Sequence, residues 1–380
     1  PRGAAGALLI HYAGLYAGST WACFSVESRA VFARGDRTMG ETFVRTVRHM
    51  LRGLFLTHLK PEPASVSDGE AVVIYAGVRN GGTATQTARL RFVFVGEDGL
   101  TPFATEERTV ELGPGADERV QARVSPERYP GAFCTVRCEL STAEEPVDLM
   151  EAGWVVRRAD ALAAGPRLGF AANYFTLNGR PVFLCGTDTY GNIYNLAQAN
   201  PLTWRRDVRR CQDYGLSVYE NLNFWPKDFR YSDTELRNLD AIAQLTQQHQ
   251  QVFMSGLLIG GDVACDDATF EKQKEMCRSF ARRYQDTPGL IYYLNGDLTL
   301  SHKAADELAV RWREYLRSLY GTHEALQAAW GAERAGASFE QVPFPLPASQ
   351  EWADVATADF IRFETTQTDH WLTGLHRAIR

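Results

Sequence analysis

The spacing of apolar residues changes character twice along the chain. In "GETFVRTVRHMLRGLFL", Phe43, Val44, Val47, Met50, Leu51, Leu54 and Phe55 recur at helical spacing, which predicts an amphipathic helix through Phe55. "ALLIHY", near the start, reads as a strand. Residues 1–58 are thus a partial α/β segment, too small for a domain, and read as the tail of a truncated one. From residue 59 the period shortens. "EAVVIYAGVRN", "ARLRFVFVGEDG", "RTVELGPG", "ERVQARVS", "AFCTVRCEL" and "AGWVVRRA" are short alternating runs separated by turn signals such as Asn80-Gly81-Gly82 and Pro114-Gly115. "KPEPASVSDGE" reads as the linker before them.

Short strands at regular spacing with no helices between them predict an immunoglobulin-like β-sandwich over residues 59–165. Residues 166–380 then alternate. A hairpin in "YFTLNGRPVFLCGTD" turns at Asn178-Gly179 and runs into a buried strand, "VFLCGT". After it come a helix in "NPLTWRRDVRRCQDYG", a strand in "LSVYENLNFWP", and a helix capped at Ser232 or Asp233 with Glu235 placed for a capping box. A strand in "QVFMSGLLIG", a helix in "DDATFEKQKEMCRSFARRYQD", a strand in "GLIYYLNGD" and three more helical stretches complete the chain. Strands alternating with amphipathic helices imply a parallel sheet covered by helices. The turn after the first strand, "GTDTYGNIYN", lacks the GxGxxG of a doubly wound nucleotide site. The expectation is therefore the N-terminal half of a (β/α)8 TIM barrel, in a multidomain chain that is α/β plus all-β.

At 380 residues, 45% hydrophobic and 23% charged, the chain has the make-up of a globular protein of two or three domains. A net charge of -6 argues against nucleic acid as a partner, and no apolar run is long enough for a membrane helix. The seven cysteines form no CxxC pair, and the eight histidines do not cluster with them, so no metal site is expected. Unpaired cysteines favour a reducing, cytoplasmic setting. A homo-oligomer is compatible with the composition. The opening "PRGAAGALLIHYAG" lacks Met and the closing "WLTGLHRAIR" lacks a helix cap, which suggests an excerpt of something longer.

In parallel sheets of this kind, reacting groups sit just past the C-terminal ends of strands. Those positions hold Asp188, Tyr190 and Asn192, then Glu220, Asn221, Asn223 and Trp225, then Asp262, then Asn295 and Asp297. Carboxylates cleave glycosidic bonds, amides and acids bind hydroxyls, and aromatic faces stack on sugar rings. As a set, with no Ser-His pair and no phosphate loop, they point to a carbohydrate ligand.

A family resemblance follows from three stretches. "YFTLNGRPVFLCGTD" looks like the hairpin that opens the catalytic barrel of retaining clan A glycosidases, and "TWRRDVRRCQDYGLSVYENLNFWP" is similar to the helix and strand after it. "LRSLYGTHEALQAAWG" resembles the "YGT-LNxAWG" helix of glycoside hydrolase family 42, the β-galactosidase family. The resemblance spans residues 168–380. It implies a retaining glycosidase with no cofactor, whose fourth strand ends in Asn-Glu, the Glu being the acid/base. Here that place reads Asn295-Gly296-Asp297. In one register Gly296 replaces the acid, and the protein is an inactive carbohydrate-binding barrel or scaffold. In the other, Asp297 is the acid. The implied nucleophile is a Glu beyond Arg380. Asp188, Tyr190, Asn192, Glu220, Asn223, Trp225, Asp262 and Asn295 would contact the sugar.

Overall fold

The computed structural model describes residues 6–11, 14–16, 19–24, 37–143, 145–190, 200–222, 226–258, 263–264, 266–294, 305–346 and 354–380. The chain divides into two compact units. The first takes Pro1–Ala161, Ala197–Arg209 and Arg237–Leu245; the second takes Leu162–Leu196, Arg210–Leu236 and Thr246–Arg380.

The first unit opens with an antiparallel hairpin, β1 (Gly6–Ile10) and β2 (Thr20–Phe24), followed by helix α1 (Arg37–Arg52). The helix is shorter than its apolar spacing predicts. Gly53 takes a left-handed φ of +69°, and a Cβ there would sit 2.8 Å from the Gly82 nitrogen, so the chain turns where only glycine fits. Leu54 and Phe55 then start a strand, β3 (Leu54–Glu62), in which both are buried. A buried apolar run satisfies helical and strand spacing alike. The expected linker is likewise largely sheet, since Lys60 to Glu62 end β3 and β4 (Ser65–Ser67) follows.

Six further strands follow: β5 (Val72–Asn80), β6 (Gln86–Val95), β7 (Pro102–Leu112), β8 (Asp117–Val124), β9 (Phe133–Ser141) and β10 (Pro146–Arg157). They form a five-stranded sheet, β4-β10-β9-β6-β7, and a three-stranded sheet, β3-β5-β8. One apolar core draws on both, from Leu56, Ile74 and Ala122 to Phe92, Val136 and Trp154. Cys134 and Cys138 lie on the core side of β9, and burial pushes both thiols up to about 12. The Tyr129 hydroxyl accepts from the Val72 amide at 2.9 Å and donates to the Glu70 carbonyl at 3.0 Å.

The second unit begins with a meander, β11 (Leu168–Ala171), β12 (Tyr174–Leu177) and β13 (Arg180–Val182), after a short helix α2 (Ala159–Ala163) at the junction. Asn178 and Gly179 have φ of 51° and 77°, the left-handed pair of a two-residue hairpin turn. The run "VFLCGT" is not one buried strand. It is interrupted after Val182, Phe183 is 89% exposed, and pairing resumes only at Gly186.

From there strands and helices alternate as expected: β14 (Gly186–Tyr190), α3 (Pro201–Asp213), β15 (Val218–Leu222), α4 (Asp233–Gln248), β16 (Val252–Gly256), α5 (Asp267–Tyr284), β17 (Leu290–Tyr293) and α6 (Ala305–Tyr320). The capping box of α4 is present, with the Ser232 amide donating to Glu235 at 2.7 Å and the Glu235 amide to the Ser232 hydroxyl at 3.3 Å. The four strands are parallel and lie in chain order, β14-β15-β16-β17, without the order reversal of a doubly wound sheet. Helices α7 (His323–Trp330), α8 (Ala332–Ala335) and α9 (Val355–Ile379) close the unit, packing with α6 around Trp312, Leu316, Phe360 and Phe363.

Candidate functional site

Residues on neighbouring parallel strands that share a register position share a face. Asp188 pairs with Glu220, Glu220 with Met254, and Met254 with Ile291. These four side chains form one row across the sheet, with Tyr293 two positions further on. The opposite face carries Tyr219 and Phe253, which are fully buried, and Tyr292, whose ring meets Phe280 of α5 at 5.8 Å. Helices therefore cover that face. The row containing Asp188 stays open: Asp188 is exposed, while Glu220, Met254, Ile291 and Tyr293 are half-buried.

Two carboxylates thus stand on adjacent strands, roughly 4.8 Å apart at the backbone. The Glu220 carboxyl is raised above its ordinary value, first by burial and then by the charge of Asp188. The Thr189 hydroxyl donates to the Glu220 carbonyl at 2.6 Å, tying β14 to β15 at this level. Asn221 points to the helix-covered face and is fully buried. Its place in the strand-end list reflects the alternation of the strand, not a position in the open row. Two carboxyls side by side on an open face offer paired oxygens to the hydroxyls of a polyol.

Of the residues expected at the site, the structure brings Asp188 and Glu220 together. Tyr190 ends β14 opposite Leu222, and only its backbone is described. Asn192, Asn223, Trp225, Asp262, Asn295 and Asp297 lie outside the described residues. Met254, Ile291 and Tyr293 were missed, although counting in twos from each strand end would have placed them in the row with Asp188. Among the described residues no group of three or more His, Cys, Asp or Glu side chains is disposed to hold a metal ion.

"YGTHEALQAAWG" proves to be a folding unit. Thr322 caps α7, its hydroxyl accepting from the Ala325 amide at 3.3 Å. The Tyr320 hydroxyl and the Trp330 indole both donate to one oxygen of the buried Asp359 on α9, the indole at 3.0 Å. Arg362 donates to the other oxygen at 3.1 Å. Burial, reinforced by the hydrogen bond to Asp359, pushes the Tyr320 phenol up to about 12. The residues that carry the resemblance are thus the ones that tie α6, α7 and α9 together.

Residues 266–380 match the model of the glycoside hydrolase family 42 β-galactosidases. The matched segment contains Asp297 and the whole of the Tyr320-to-Gly331 motif. The chain is glycoside hydrolase-like, with a β-galactosidase family region at its C-terminal end. No curated protein matches the chain. Among solved structures, β-glucuronidase 2 of Bacteroides uniformis, covalently bound to cyclophellitol-6-carboxylate aziridine, is similar at 16% identity and a TM-score of 0.30, over 74% of this chain and 32% of that one. A β-glucuronidase of Parabacteroides merdae is similar at 14% identity and a TM-score of 0.27, over 71% of this chain and 32% of that one. A protein of Bacteroides fragilis described as a putative β-galactosidase is similar at 15% identity and 0.27, over 74% and 37%. This chain spans about a third of the length of these proteins. At such scores the likeness assigns neither fold nor substrate.

Proposed function

We propose that the chain is part of a retaining, β-galactosidase-like glycoside hydrolase acting on an oligo- or polysaccharide. The observation that carries this reading is the family match over residues 266–380. The chain-order parallel sheet supports its reading as the first half of a (β/α)8 barrel over residues 166–380. The two sheets with a common core support an immunoglobulin-like sandwich over residues 59–165, behind a partial α/β segment at 1–58.

In this mechanism Asp297 protonates the leaving oxygen and later deprotonates the attacking water. The nucleophile is the Glu that the resemblance puts beyond Arg380. Asp is one methylene shorter than Glu, so Asp297 has to stand closer to the bond it serves. Asp188 and Glu220 bind sugar hydroxyls on the open face, with Tyr190, Asn192, Asn223, Trp225, Asp262 and Asn295 completing the pocket. Two carboxylates suffice for this chemistry, and no metal or organic cofactor enters it.

The second reading is a sugar-binding barrel without turnover. Its support is Gly296, which replaces the acid in the other register. Turnover of a panel of aryl glycosides by the full-length protein, beside Asp297→Asn, separates the two. Loss of rate on poor leaving groups with retention on activated ones makes Asp297 the acid. Binding without turnover in both proteins means the acid was lost at Gly296.

A further inference from the structure

A cleft of about 660 Å³ opens between the segment that follows β15 and helix α5, within the size range of ligand pockets. Its apolar floor includes Met276 and Phe280, both buried. Its wall is formed by Asp228 and Phe229, each with a φ of 54°. A left-handed conformation is tolerated by Asp but is an outlier for a bulky aromatic, and such strain persists only where the surroundings impose it. The strained pair lines the cleft with a half-buried phenyl ring. Arg230 and Lys272 stand at the rim, and among the described residues their side chains make no ion pair or hydrogen bond. With Arg283 they equal in number the three acids of the lining, Asp228, Asp233 and Glu275, the last of which is paired with Arg278 at 3.0 Å.

An aromatic ring, polar groups of both signs, and a lining whose formal charges sum to zero suit a neutral polyhydroxyl ligand better than an ion. We propose that this cleft is a second carbohydrate site, which holds a stretch of neutral polysaccharide outside the open face of the sheet. The inference rests on the reading of the protein as carbohydrate-active. It adds that the substrate is a polymer, since a small glycoside needs no second anchoring point.

The test is native electrophoresis of the full-length protein through gels containing β-1,4-galactan or polygalacturonate, with Phe229→Gly and an Arg230→Ala/Lys272→Ala double variant alongside. Galactan should retard the wild-type protein. Both variants should need about five-fold more galactan for equal retardation. Phe229→Gly relieves the left-handed backbone but gives up the half-buried ring, so its circular dichroism spectrum is compared with wild type to establish that the variant is folded. A folded Phe229→Gly that galactan retards as it does wild type would mark a residue strained for packing alone. No retardation by galactan, retardation by polygalacturonate alone, or variants that migrate like wild type would each overturn the proposal. Aryl glycoside turnover by the wild-type protein reports on the hydrolase reading separately. Absent turnover with Phe229-dependent retardation would remove the hydrolase and keep the site, and the reverse pattern would remove the site and keep the hydrolase.

Discussion

Glu220 and the buried cysteines show how far a neighbourhood moves a single group. Ionising Glu220 costs the folded protein more than the unfolded chain, because burial and Asp188 both disfavour its charge. The stability it contributes is present below its ordinary value of 4.5 and is lost as pH rises through the raised native value. Glu220→Gln should therefore match wild type near pH 4 and melt at a progressively higher temperature than wild type as pH rises above that. In an Asp188→Asn background the gap should narrow, since the second cause is removed. Parallel melting curves across that range would remove the shift. Cys134, Cys138 and Cys277 are pushed up to about 12 by burial, whereas Cys23 and Cys185 are exposed. The thiolate is the reactive form. A maleimide at pH 7.5 should thus label Cys23 and Cys185 in the native protein, and the three buried thiols only after denaturation, as peptide mapping would show.

At the scale of elements, the Asp359 network is the sharpest case of sequence acting through packing. Asp359 is 1% exposed and takes three donors from α6, α7 and α9. Asp359→Ala would leave the half-buried Tyr320 phenol without its acceptor and the buried Trp330 indole with only the Tyr320 oxygen, at 3.2 Å, and should cost about 2 kcal/mol. Tyr320→Phe removes one donor and should cost about 1 kcal/mol. Hydrogen exchange over α6, α7 and α9 checks both values, and protection unchanged in Asp359→Ala would refute the network's role. The sequence marked Tyr320 and Trp330 through the family motif, but nothing local pointed to Asp359, which looks like any acid on a helix until the third helix folds back. Ser232 with Glu235 was legible because a capping box is a local device. Leu54 and Phe55 were not, because their fate depended on Gly53 meeting Gly82 across a turn closed by residues nearly thirty positions later.

For the whole molecule, the open side of the parallel sheet is the dominant fact. The order of β14 to β17 was legible from alternation alone, whereas which residues face which side needed the register. Among the described residues β14 and β17 each pair along one edge only. Unpaired edges recruit other strands, and the face between them presents Met254, Ile291 and Tyr293 beside two carboxylates. Phe170 in the meander is 68% exposed, and Phe183 just after it is 89% exposed. An apolar face on a sheet is usually covered in a working protein, by further chain or by a partner. Under the half-barrel reading, the strands that complete the barrel are the cover. Residues 166–380 produced alone should then associate, whereas a longer parent chain carrying the remaining strands should not. Light scattering behind a sizing column measures this directly. Association that grows with salt would point to the apolar face, because screening weakens charge contacts and leaves apolar ones. A monomeric segment 166–380 with a single sharp melt would mean that four strands and their helices suffice as a fold, and the half-barrel reading would fall with that result.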